Sequence, residues 1–208
     1  MSIPKFVGDL SAADAALLHH HGCRARRILE FGAGGSTQLF AQALAEDGSL
    51  LTLETDPAWI ARTSEHLVRL GVRARVRFML YQDFSPQAPP SPSFDLLFDD
   101  GVDELRRAMA LATWPLLAPG GVFLFHDTRR ERDIANVLAL MAAHYNEIES
   151  VECNQRFRGT SSNLTVLRKK VAEPYLDWNL AEGLPMWRYG SGEVPDDFWD
   201  RRQDNLRL

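Results

Sequence analysis

The chain has 208 residues, 45% of them hydrophobic and 25% charged, with a formal net charge of -5. That length and composition fit one globular domain with a modest extension and leave little room for two. The acidic balance and the lack of a long basic run argue against a nucleic-acid surface, and no run reaches the roughly 18 apolar residues of a membrane span.

The first residues lack a basic stretch followed by a long apolar one, so a cytoplasmic protein is expected. Residues 1–26 read as a helical lead-in. It carries His19-His20-His21, whose place near a helix end suits capping or solvation better than metal binding. Short apolar runs at 27–31, 50–54, 76–80, 94–98 and 122–126 then read as strands. Helical patterns separate them, for example at 37–45, 57–70 and 104–117. Strands alternating with helices predict parallel βαβ units, because a parallel crossover needs a long connection. A continuous apolar strand such as Phe94-Asp95-Leu96-Leu97-Phe98 suits a sheet covered on both faces.

The punctuation agrees. Asp56-Pro57 supplies a helix cap and then proline at the first helical position. Residues 87–93 are a proline-rich connector, and Ala118-Pro119-Gly120-Gly121 predicts a turn into the fifth strand. Beyond Asp127, residues 132–144 predict a helix, and 147–157 with 163–168 predict an antiparallel hairpin. The cysteines, Cys23 and Cys153, belong to no CxxC pair and read as free thiols. Residues 1–170 are therefore one α/β domain. The polar tail 171–208, with Trp178, Trp187 and Trp199, is a packed extension, a lid or the arm of a homodimer.

The central feature is Ile28-Leu29-Glu30-Phe31-Gly32-Ala33-Gly34-Gly35-Ser36-Thr37, a strand, a glycine turn and a helix start. Such a turn lets a ligand approach the backbone, and the helix start offers free N–H donors. A dinucleotide loop would want glycine or alanine where Thr37 stands. Glu30 would also sit badly against a diphosphate and better near a cation. The other strand ends are acidic too: Glu54, Asp83, Asp99-Asp100 and His126-Asp127. Gathered around one crevice, these groups would repel one another unless a cation or donors compensate.

From residue 10 to 169 the chain resembles the class I S-adenosylmethionine-dependent methyltransferases. Glu30-Phe31-Gly32-Ala33-Gly34-Gly35 is similar to their first motif, and Leu53-Glu54-Thr55-Asp56-Pro57 to their second. Tyr81-Gln82-Asp83-Phe84, the Asp99-Asp100-Gly101 strand end and Leu117-Ala118-Pro119-Gly120-Gly121 follow in the same order. The resemblance implies a Rossmann-like, doubly wound, mostly parallel seven-stranded sheet ending in an antiparallel hairpin. It implies that Glu30, Gly32, Gly34, Ser36, Glu54, Thr55, Asp83 and Asp100 face S-adenosylmethionine. Glu54 would hold the ribose diol, with Thr55 and Asp83 near the adenine.

The acceptor side carries Asp100, His126 and Asp127 as candidate catalytic groups. Asp100 and Asp127 could bind one magnesium ion, as in the similar catechol and caffeoyl-CoA methyltransferases. Two departures stand out: their Asp-Asn pair is Asp127-Thr128 here, and their lysine is Asp103. His126 is the other candidate base, since an unperturbed imidazole titrates near neutrality. Arg129, Arg130 and Arg132 could meet an anionic acceptor or cap a solvated helix start. The expected activity is methylation of a small molecule, at a hydroxyl oxygen. A nicotinamide-dependent oxidoreductase and a non-catalytic cofactor-binding module are the alternatives.

Overall fold

The computed structural model describes residues 3–86, 93–153, 155–157 and 159–171. The tail beyond Val171 and most of the proline-rich connector lie outside the described residues. A first helix, α1 (Ala12–Gly22), starts at a capping box: Ser11 accepts from the Asp14 N–H, and the Asp14 carboxylate accepts from the Ser11 N–H. Then β1 (Arg27–Phe31), α2 (Gly35–Ala43), β2 (Ser49–Glu54), α3 (Pro57–Arg69), β3 (Val76–Leu80), β4 (Phe94–Asp99), α4 (Asp103–Thr113), β5 (Leu117–Phe125) and α5 (Glu131–His144) alternate. The chain closes with β6 (Ile148–Cys153), a ribbon of β7 (Arg156–Phe157) and β8 (Thr160–Ser161), and β9 (Thr165–Lys169).

The seven-stranded sheet runs β3-β2-β1-β4-β5-β9-β6. Pairings among β1 to β5 are parallel, and β9 lies antiparallel between β5 and β6. The expected hairpin is present, but its first arm ends at Cys153, and β7 pairs separately with β8. The fifth strand also differs from expectation. It begins at Leu117, and Pro119-Gly120-Gly121 is an irregularity inside it: the register jumps from Phe94↔Leu117 to Leu96↔Val122. Gly120 takes a positive φ of 76° there.

Strand parity sorts side chains into two layers. Ile28, Leu50, Leu96, Phe98 and Leu124 pack with Leu18, Leu39 and Phe40 on the side of α1 and α2. Leu29, Phe31, Leu97, Phe123 and Phe125 pack with Met109, Trp114, Val137 and Leu140 on the side of α4 and α5. Each of these side chains contributes about 2 kcal/mol by leaving water. The strand order reverses between β1 and β4, which opens a crevice at the carboxyl ends of the strands. No described helix is long and apolar enough to cross a membrane.

Candidate active site

At that switch point lies a cavity of about 740 Å³. Gly32, Gly34, Glu54, Thr55, Asp100 and Gly101 are among the residues that line it. Gly32 ends β1 with φ of 86°, and its N–H donates to the Leu53 carbonyl at 2.9 Å. A Cβ at this position would lie 2.2 Å from the Asp100 carbonyl oxygen, so only glycine fits. At Gly34 a Cβ would meet nothing within 4 Å, which leaves that side of the turn open. The Gly34 N–H is turned inward and donates to Thr37 Oγ1 at 2.9 Å.

Glu54 is fixed by main-chain donors. Its Oε2 accepts from the Ala33 N–H at 2.9 Å, and its Oε1 accepts from the N–H groups of Thr55 and Asp56 at 2.6 and 3.1 Å. The carboxylate thereby ties the glycine turn to the end of β2 and still has lone pairs for a ligand. Trp59 of α3 donates its indole N–H to the Ala33 carbonyl from the other side.

The structure corrects the picture of acids crowding one crevice. Glu30 shares a strand face with Ile28 and is fully buried beneath the start of α2. Its oxygens accept from Ser36 Oγ at 2.6 Å and Thr52 Oγ1 at 2.7 Å. Burial pushes its carboxyl up to about 7, against the pull of the Ser36, Thr52 and Thr37 hydrogen bonds and with a small push from Asp100. Glu30 reaches the cavity only through Ser36, which lines it. Asp83 is exposed in the turn after β3, and Tyr81 of that turn lines the cavity in its place. The sequence reading also missed a wall: residues 7–10 run across the glycine turn and line the cavity. Gln38 clamps this strap, accepting from the Val7 N–H at 3.0 Å and donating to the Val7 carbonyl at 2.9 Å.

Past Asp100, at the ends of β4 and β5, candidate ligand atoms of Asp100, His126 and Asp127 come within 4.8 Å of one another. His126 Nδ1 is 3.1 Å from Asp100 Oδ1 and 3.6 Å from Asp127 Oδ1. Its Nε2 faces Asp14, 3.8 Å away, because parity turns His126 toward α1. Burial alone would lower this imidazole. Hydrogen bonds to Asp100 and Asp14, with the charges of Asp100 and Asp127, outweigh burial and hold it up at about 10. This corrects the view of His126 as a base tuned to neutrality: it is an imidazolium with no lone pair to offer. Asp14 is held well below the usual carboxylate range. Burial would raise it, but hydrogen bonds from His126, Ser11, Ser162 and Asn163 overcome that.

Asp127 has φ of 61°, an uncommon conformation for a residue other than glycine. Its Oδ1 accepts from Asn163 Nδ2 at 2.8 Å, and its Oδ2 lies 2.6 Å from Arg130 Nη2. Of the three arginines singled out in the sequence, Arg130 pairs with Asp127 and Asp133 while staying exposed, Arg132 pairs with Asp103, and Arg129 donates to the Ser162 carbonyl. Sequence reasoning also missed Arg106. This buried guanidinium donates to the carbonyls of Asp99 and His126 at 2.7 and 2.8 Å and pairs with Asp133 at 2.9 Å. It joins the ends of β4 and β5. Asp99 beside it, pushed up to about 7 by burial against the Arg106 charge, keeps one oxygen without a hydrogen-bond partner.

These residues do not fit a resident magnesium ion. Magnesium asks for oxygen donors in a near-octahedral set. Both oxygens of Asp127 are already engaged by Arg130 and Asn163, and His126 Nδ1 is taken up by Asp100 at 3.1 Å.

Residues 29–128 match a protein family described as "Methyltransferase domain". That match spans a little under half of the chain. A catechol O-methyltransferase of Niastella koreensis is 37% identical over 84 residues, a match spanning 38% of this chain and 38% of that enzyme. The O-methyltransferase TomG from Streptomyces achromogenes, solved in complex with SAM, has a TM-score of 0.64 at 22% identity, covering 78% of this chain and 82% of that one. An O-methyltransferase from Bacillus cereus, solved with SAH, has a TM-score of 0.63 at 19% identity, covering 80% and 84%. At such identities the two structures speak for the fold alone. The family match runs from β1 to just past β5, so it takes in both sides of the crevice.

Proposed function

We propose that this chain is a class I S-adenosylmethionine-dependent methyltransferase, carrying the methyl group of S-adenosylmethionine to the hydroxyl oxygen of a small molecule. The observation that carries the reading is the Glu54 carboxylate, fixed by the N–H groups of Ala33, Thr55 and Asp56 at the edge of the cavity. A fixed carboxylate suits a vicinal diol such as ribose. The cofactor's adenine would lie toward Tyr81, Thr55 and Asp83. Its methionine part would lie along Gly32, Gly34 and Ser36, and its sulfonium would face Asp100. A dinucleotide fits less well: the Gly34 N–H that a diphosphate would need is spent on Thr37. The Niastella koreensis relative acts on a catechol by its name, and the two structural neighbours hold SAM and SAH, which supports the same assignment here.

The transfer is an in-line displacement. The acceptor oxygen forms a bond to the methyl carbon as the carbon–sulfur bond breaks, giving a methyl ether, S-adenosylhomocysteine and one proton. Alignment of the two reactants supplies much of the rate. Asp100, at the boundary between cavity and acceptor side, accepts the hydroxyl hydrogen and takes the proton as the bond forms. The His126 imidazolium holds Asp100 in place. Residues 1–170 form the cofactor domain in this reading, and 171–208 an arm or dimer contact. The test is release of S-adenosylhomocysteine from S-adenosylmethionine with a panel of catechols, phenols and aliphatic alcohols. Release with at least one hydroxyl acceptor is expected. Binding of a nicotinamide cofactor, with no affinity for S-adenosylmethionine, would overturn the reading.

A further inference from the structure

We propose that the acceptor side of this site works without a divalent metal, with the guanidinium of Arg130 and the amide of Asn163 holding Asp127 in the metal's stead. The inference rests on the methyltransferase reading and concerns what neutralises its acceptor-side carboxylates. The resemblance alone would place magnesium between Asp100 and Asp127. The observed partners commit Asp127 elsewhere.

Arg130 is built into its position. Its Nη2 lies 2.6 Å from Asp127 Oδ2 and 3.6 Å from Asp103 Oδ1, while its Nε bonds the buried carboxylate of Asp133. Asp103 stands where the similar metal-dependent enzymes carry lysine, so the charge at that corner is inverted. An acid on α4 draws a cation from the loop after β5, and that cation lands on Asp127. Arg132 pairs with the other oxygen of Asp103 and completes the arrangement.

Asn163 closes the second half. Its Oδ1 accepts from the Arg129 N–H at 3.0 Å, which forces its Nδ2 toward Asp127 Oδ1 at 2.8 Å. Its own N–H donates to Asp14 Oδ1 at 2.7 Å, so the residue is pinned from both ends. With both oxygens of Asp127 taken by donors, a hard cation finds only the Asp100 carboxylate there, and would have to break the Arg130 or Asn163 bond to gain a second. A second cation would also meet the guanidinium at close range. Arg130 thus acts as a positioning residue, holding Asp127 and its left-handed backbone beside the acceptor.

Two measurements on the full chain test this. The first needs no acceptor: titration of the wild-type protein with Mn²⁺, read by electron paramagnetic resonance, alongside thermal melting with and without Mg²⁺. No bound Mn²⁺ and no melting shift are expected. The second is turnover after EDTA treatment, which should equal turnover with added Mg²⁺. Arg130→Ala should lower turnover at least about 10-fold with little change in S-adenosylhomocysteine affinity. The same variant should gain Mn²⁺ binding, because Asp127 is left without its counter-ion. Arg130→Lys should recover part of the turnover and suppress the Mn²⁺ binding. Bound Mn²⁺ in the wild-type protein, or turnover that EDTA abolishes and Mg²⁺ restores, overturns the proposal. If no hydroxyl acceptor is methylated, the functional reading fails, while the Mn²⁺ titration still decides the question of the metal.

Discussion

The glycine turn after β1 and the ends of β4 and β5 lie side by side, yet different bonds hold them. Around the turn, main-chain groups predominate: Gly32 N–H to the Leu53 carbonyl, Ala33 N–H to Glu54, Asp100 N–H to the Phe31 carbonyl. At the ends of β4 and β5, charged side chains hold one another: His126 with Asp100 and Asp14, Asp127 with Arg130 and Asn163. A site made of backbone donors is set by conformation and responds little to pH. A site made of coupled charges is set by sequence-distant partners and responds strongly to pH.

The largest effect expected from this contrast is steric. Gly32→Ala forces a Cβ to 2.2 Å from a carbonyl oxygen at a positive φ. The loss should be about 3–5 kcal/mol, a fall in melting temperature of roughly 10 °C. Gly34→Ala, at an open position with extended backbone, should shift stability by less than about 0.5 kcal/mol. Similar losses at both positions would contradict the backbone account.

The next effect is electrostatic. The His126 imidazolium, held up at about 10 against an ordinary value of 6.5, contributes stability that is complete below pH 6.5 and is lost as pH rises toward 10. Glu30 and Asp99, both raised to about 7, lose their contribution earlier, as pH climbs from the ordinary carboxylate range to neutrality. Melting temperature should therefore fall between pH 7 and pH 10 by the equivalent of about 2–4 kcal/mol. His126→Asn should flatten that decline, and an unchanged slope in this variant would remove His126 from the account.

These contrasts also explain what was legible in the sequence. The parallel strands, the glycine turn and Glu54 were readable because each depends on local pattern: apolar runs, a turn residue, an acid ending a strand. Glu30 looks crevice-facing from its position along the chain, but strand parity puts it on the buried face it shares with Ile28. The Pro119-Gly120-Gly121 irregularity reads locally as a turn, and only pairing with β4 makes it part of a strand. The settings of His126 and Asp127 depend on Asp14 and Asn163. Those residues are 149 positions apart, and no periodicity connects them. The insertion of β9 between β5 and β6 is likewise a product of packing rather than of local preference.

Two smaller effects sharpen the comparison. Glu54→Ala should weaken S-adenosylhomocysteine binding about 10- to 100-fold in calorimetry, since charged hydrogen bonds to the diol are lost. Unchanged affinity would move the ribose elsewhere. Trp59→Phe removes one indole hydrogen bond to the Ala33 carbonyl and should cost about 1 kcal/mol in urea unfolding. A much larger cost would show that α3 supports the turn more than its single bond suggests.

The most direct test of the central claim is a crystal structure with S-adenosylhomocysteine bound. The account predicts the ribose hydroxyls on Glu54, the amino-acid part over Gly32 and Gly34 beneath the strap 7–10, and the sulfur facing Asp100. A nucleoside bound away from Glu54, or a sulfur pointing away from the ends of β4 and β5, would contradict it.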